Sequence, residues 1–230
     1  VKTAALILAC LLLWAQPAQA QPAIEGSGGS TIPLSATCAG TNKVLYAWST
    51  NDDANDNNHV LVFNTTETMT EVIENIGAGR YIAMHRLVNP TSTTANITAS
   101  SGTPGIVAYI CLSGVDQGDP DDAAQSENNG GAPAETASGL TVSSAVGDLV
   151  ISGLAANNKN TGFATAAGTG QTERVDVGDT SLGVAVSTQT GAASVVPNWT
   201  WTGAVSFGHV AMNVNAAGGG GGTRRRQVVD

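Results

Sequence analysis

The chain of 230 residues carries 18 acidic residues against nine lysines and arginines, yet charged residues make up only 12% of it. Between residues 23 and 217 the acids number seventeen, against Lys43, Arg80, Arg86, Lys159 and Arg174. That balance excludes nucleic acid and anionic lipid as natural partners, because both would be repelled. Val, Ile and Leu recur at period 2 among Gly, Ser, Thr and Asn, which excludes a disordered chain and points to secreted β-structure.

Residues 1–20 read as a secretory signal. Lys2 supplies the positive start, residues 4–14 an apolar core, and Ala18-Gln19-Ala20 a small-residue cleavage site. The apolar run falls short of the roughly 20 residues that a spanning helix needs. Cys10 lies too early in it for a lipoprotein cleavage site. Val1 in place of Met fits a GTG start codon translated literally, or a clipped fragment. The expected mature chain starts near Gln21, has no membrane span, and works outside the cell or at its surface.

Residues 21–30 are Gly/Ser-rich and read as a flexible lead-in. Strand candidates follow at 43–49, 59–64, 69–76, 80–88, 95–100 and 105–115. Residues 51–58, nearly all Asn and Asp, form a loop between the first two, since their side chains compete for backbone hydrogen bonds. Residues 116–133, rich in Asp, Asn, Gly and Pro, read as the longest irregular stretch. Further strands are expected at 140–144, 148–155, 171–177, 181–188, 192–202 and 206–215. About twelve to fourteen short strands at spacings near ten residues predict an all-β fold, an antiparallel two-sheet β-sandwich. Nothing breaks the composition inside 31–217, so one domain is expected there. Residues 218–230 form a Gly-rich hinge and a basic tail.

Calcium is the best chemical candidate. Asp116, Asp119, Asp121 and Asp122 crowd one loop, and Asp52, Asp53 and Asp56 crowd another, offering the oxygen ligands that Ca²⁺ takes in sets of six to eight. Asp53-x-Asn55-x-Asn57 begins like an EF-type loop, but Asn58 and Asn64 stand where Gly and Glu are needed, so that motif fails. The competing reading is a solvated acidic loop. Cys38 and Cys111 remain after the signal, and an oxidising compartment permits a disulfide between them. Alternatively, Cys111 is a small buried strand residue and Cys38 a loop thiol.

Catalysis finds no support. A glycosidase pair needs two carboxylates about 5–9 Å apart across a cleft, and Glu71 and Glu74, three apart, would face opposite sides of a strand. There is no Gly-x-Ser-x-Gly elbow. His59, His85 and His209 stand alone, and His209 shares a strand face with Phe207 and Asn213 that reads as surface. Trp199 and Trp201 are two apart and point the same way, either as a sugar platform if exposed or as core.

Five blocks in order carry a resemblance. They are Leu87-Val88-Asn89-Pro90, Ser113-Gly114-Val115-Asp116-Gln117, Ala145-Val146-Gly147-Asp148-Leu149-Val150, Gly168-Thr169-Gly170-Gln171-Thr172-Glu173-Arg174, and Gly191-Ala192-Ala193-Ser194-Val195 running on to Trp199-Thr200. Over about 40–216 the chain resembles a bacterial extracellular β-sandwich module of surface and adhesin-type proteins, whose function is undefined. Cys111 and Trp201 depart from that pattern, and so does the Asp-rich segment 119–122. The resemblance implies a jelly-roll-like sandwich, surface or matrix placement, and no catalytic residues to carry over. The expected function is surface attachment or matrix building, with an extracellular glycan or a surface protein as partner. A carbohydrate-binding or carbohydrate-cleaving jelly roll and a filament subunit are the alternatives.

Overall fold

The computed structural model describes residues 20–52, 58–77, 80–130, 132, 134–157, 165–179 and 181–218. It is all-β and antiparallel, with no helix among those residues. The first half contains β1 (Ala23–Ser30), β2 (Leu34–Thr37), β3 (Val44–Asn51), β4 (Val60–Phe63), β5 (Glu67–Thr68), β6 (Thr70–Gly77), β7 (Arg80–Val88), β8 (Thr94–Ser101) and β9 (Ile106–Ser113). The second contains β10 (Asp121–Asn128), β11 (Ala134–Ala137), β12 (Leu149–Asn157), β13 (Thr165–Ala167), β14 (Gln171–Gly178), β15 (Leu182–Thr190), β16 (Trp199–Val205) and β17 (Phe207–Val214).

The two halves repeat one strand order. In the first, a large sheet runs β1-β9-β3-β7-β6 and a small one β2-β8-β4-β5. In the second, the large sheet runs β10-β17-β12-β15-β14 and the small one β11-β16-β13. Each position in the first half has its counterpart in chain order, apart from β5. Even the bulges recur: the first edge strand shifts register at Ile24/Gly26 and its counterpart at Asp122/Gln125. The other edge strands shift at Glu71/Ile73 and Glu173/Val175.

Among the described residues the sheets number four, not two, and they stack as small, large, large, small. The two large sheets face each other across a shared core of Val44, Tyr46, Trp48, Ile82, Ile110, Ile151, Val184, Val210 and Met212. Outward from it, Leu45, Leu61, Phe63, Ile97 and Tyr109 fill the first half's own interior. Leu154, Ala185, Trp199, Trp201 and Phe207 fill the second's. The inner strands β3 and β17 are consequently buried along their whole length. A strand covered on both sides is apolar nearly throughout, as Ile106-Val107-Ala108-Tyr109-Ile110-Cys111-Leu112 shows in β9.

Two segments expected to be irregular are strands. The Gly/Ser lead-in is β1, paired with β9 from Ala23↔Ser113 to Ser30↔Val107. Its glycines serve closeness: a Cβ on Gly29 would stand 2.7 Å from Val177 Cγ2 and 2.9 Å from Val175 Cγ1 of the opposite large sheet. Within 116–133 lies β10, an edge strand whose polar residues are tolerated because one of its sides is open. Both described chain ends meet at one end of the molecule, called the base below. There Gln21 Nε2 donates to Asp148 O at 3.0 Å and Ala217 N to Gly114 O at 2.7 Å.

Candidate functional site

The base gathers the acidic residues of 116–122, and each is engaged by the protein. Asp116 Oδ1 accepts from the backbone N–H of Gly118 at 2.9 Å and of Asp119 at 3.3 Å. Asp119 contributes its carbonyl to Asn215 Nδ2 at 2.8 Å. Asp121, with a side chain only 6% exposed, pairs with Arg86 Nη1 at 2.6 Å and accepts from the Tyr46 hydroxyl at 3.0 Å. That bridge ties β10 of one half to β7 and β3 of the other. Burial first, then the Asp121 carboxylate, pushes the Tyr46 phenol well above its usual range, while Arg86 pulls the other way.

Asp122 Oδ1 and the fully buried Asp148 Oδ2 share the Asn213 amide, at 3.0 and 3.1 Å. Asp148 Oδ1 also accepts from Ala216 N at 3.1 Å. Of the four aspartates expected to hold Ca²⁺, the carboxylates of Asp116, Asp121 and Asp122 thus turn to different donors, and Asp119 engages through its main-chain carbonyl. Among the described residues no three His, Cys, Asp or Glu side chains gather to hold a metal ion. Asp52 is exposed at the end opposite the base, and Asp53 and Asp56 lie outside the described residues.

Cys38 and Cys111 form a disulfide, with Cα atoms 5.1 Å apart and both residues sealed from solvent. It joins the start of the first half's small-sheet layer to β9 of its large sheet. Trp199 and Trp201 do share a face, and that face is inward: they are 0% and 6% exposed. The Trp201 indole donates to Ala134 O at 2.9 Å and its ring meets Phe207 edge-on at 5.4 Å. The condition for a sugar platform, exposure, is not met.

One constellation was missed by the sequence reading. Ser152 Oγ lies 2.8 Å from His209 Nε2, and His209 Nδ1 lies 2.8 Å from Glu127 Oε1. A carboxylate only accepts, so Nδ1 carries the proton and Nε2 accepts from the serine hydroxyl. The distances are those of a serine–histidine–acid triad. However, Ser152 is 1% exposed and His209 0%, and the serine oxygen already accepts the Trp199 indole N–H at 3.0 Å. Burial holds His209 below its ordinary range, with Glu127 opposing.

The chain Trp199–Ser152–His209–Glu127 therefore pins the small sheet to the large one, with Ser152 and His209 closed off from solvent. His209 had read as surface because its strand alternates; the second small sheet covers that face too. The first half holds a second serine–histidine pair at non-equivalent positions, Ser49 Oγ on β3 and His85 Nε2 on β7 at 2.8 Å, both buried. A shallow cleft of about 300 Å³ lies elsewhere, at the end opposite the base, lined by Gly29, Thr31, Ile106, Val177 and Asp179.

No family model matches the chain, and no curated protein or solved structure does either.

Proposed function

We propose that the chain is a secreted, non-catalytic β-sandwich module for cell-surface attachment or extracellular matrix building, in the manner of the bacterial surface modules it resembles. The observation that carries this reading is the Cys38–Cys111 disulfide, a bond that persists in oxidising compartments and is rare in the cytosol. The repeated strand order of the two halves supports it, being compatible with the jelly-roll-like sandwich that the resemblance implies. The burial of Ser152 and His209 supports the non-catalytic part of the reading. Among the described residues no helix is long and apolar enough to cross a membrane.

The test is made on cells producing the whole chain. Surface placement predicts that protease added to intact cells digests it, that its amino terminus is Gln21, and that deletion lowers adhesion or matrix yield. A chain found reduced, unprocessed and protected inside the cell overturns the reading.

A further inference from the structure

Charge is distributed unevenly over the four layers. Every edge strand of the two large sheets carries acids: Glu25 on β1, Glu71 and Glu74 on β6, Asp121, Asp122 and Glu127 on β10, Glu173 and Asp176 on β14. The strands of the small sheets carry no Lys or Arg, and each small sheet has one acid in its strands, Glu67 and Glu135. Glu67 sits opposite inward-pointing Phe63 and is held by Thr91, at 2.9 Å from its N–H and 3.0 Å from its hydroxyl. Glu135 stands at a bulge and accepts from Gly203 N at 3.0 Å.

Apart from the exposed Glu135, whose carboxylate lies beside Thr202 at Gly203, what the small sheets turn outward is uncharged and rich in hydrogen-bonding groups. On β2 and β8, Ser35 lies opposite Asn96 and Thr37 opposite Thr94, and all four are exposed. Thr98 and Ser100 continue the same row along β8. In the second half Thr136 lies opposite Thr200, with Thr202 next along β16, again exposed. These rows repeat about every 4.8 Å across the strands and every 6.7 Å along them. With sheets about 10 Å apart, the two outer faces look in opposite directions some 30 Å from each other.

We propose that these faces are matched docking surfaces for neutral polysaccharide, one on each side, so that a single chain bridges two polysaccharide strands. The proposal deepens the matrix-building reading and rests on it. Charge selects the occupant. An acidic girdle repels anionic polymers and neighbouring copies, while the two faces offer hydroxyls and amides to a partner that has hydroxyls and no charge. The face recurs at the equivalent place in the second half although its residues differ, so the duplication supplies the second contact that bridging needs.

The probes are cellulose, chitin, mannan and soluble mixed-linkage β-glucan, with polygalacturonate as the anionic control. The chain is expected to be retained on at least one neutral polymer, equally at low and high salt, and to cloud the soluble β-glucan. Thr94→Glu/Asn96→Glu or Thr200→Glu/Thr202→Glu alone should abolish clouding but keep binding. The four substitutions together should weaken binding at least tenfold, with circular dichroism and melting temperature unchanged. Retention on none of the neutral polymers, or preference for polygalacturonate, overturns the proposal. Retention that the quadruple variant keeps overturns it too, while leaving surface attachment through another face intact.

Discussion

The indole of Trp48 fills the place where a side chain on Gly153 would stand. A Cβ built on Gly153 would run into Nε1 and Cδ1 of that ring and lie 2.9 Å from Cε2. The two residues hold equivalent positions in the two halves. Each is four residues beyond the strand's first residue, Val44 paired with Leu112 and Leu149 paired with Val214. A knob on one half thus meets a hole on the other in the core between the two large sheets. Neither half's large sheet is shaped to pair with a copy of itself, because two indoles would collide and two glycines would leave a void.

Gly153→Ala is expected to destabilise the chain by about 2 kcal/mol or more, since a methyl group is forced into a closed core. A urea titration followed by tryptophan fluorescence reads this as a lower midpoint at unchanged slope. An unshifted midpoint would mean that the Trp48 ring moves aside freely.

Arg86→Met leaves the Asp121 carboxylate buried with the Tyr46 hydroxyl but without its cation. The expected loss is about 3 kcal/mol, and Arg86→Met/Asp121→Leu should recover most of it, because a buried pair replaced as a whole costs little. Denaturant midpoints of the two variants make the comparison.

Burial, and after it the neighbouring His59, lowers the His85 pKa to about 3 from its usual 6.5. The unfolded chain takes up this proton as pH falls below 6.5, and the folded chain does so only near 3. Stability is therefore full above 6.5 and declines as pH falls through that window. Between pH 6.5 and 5, where few carboxylates titrate, His85 alone should remove about 2 kcal/mol. His209, lowered by burial, acts with the same sign. A stability profile flat from pH 7 to 5, or one that His85→Gln leaves as steep, would contradict the burial of this side chain.

The disulfide closes a loop across a sequence separation of 73 residues. Chain entropy then predicts a loss of about 4.5 kcal/mol for Cys38→Ser/Cys111→Ser. With both sulfurs sealed, the native chain should keep the bond in mild reductant and lose it only on unfolding, which alkylation and mass measurement will show.

Strands were legible in the sequence because period-2 alternation and continuous apolar runs such as 106–112 are direct records of burial. The shared face of Trp199 and Trp201 was legible for the same reason. Layer number was not: alternation in β17 shows two faces and cannot say that a second sheet covers the one carrying His209. Gly29 was misread because a glycine that permits close approach to Val177 looks the same as one that permits flexibility. The Asp-rich 119–122 segment looked like a ligand loop because the sequence does not reveal that Arg86 and Asn213 come to meet it. The five sequence blocks that carry the expected resemblance all fall at or near the base, in the turns beside Asn89, Gly114, Gly147, Gly170 and Gly191. They report turn chemistry at one end of the molecule, and say little of its outer faces.

The decisive measurement is incubation of the purified mature chain with insoluble cellulose, chitin and mannan, recording both depletion from the supernatant and release of reducing ends. Depletion from at least one of them with no reducing ends released is the predicted result. Release of reducing ends by the pure chain would contradict a non-catalytic module outright.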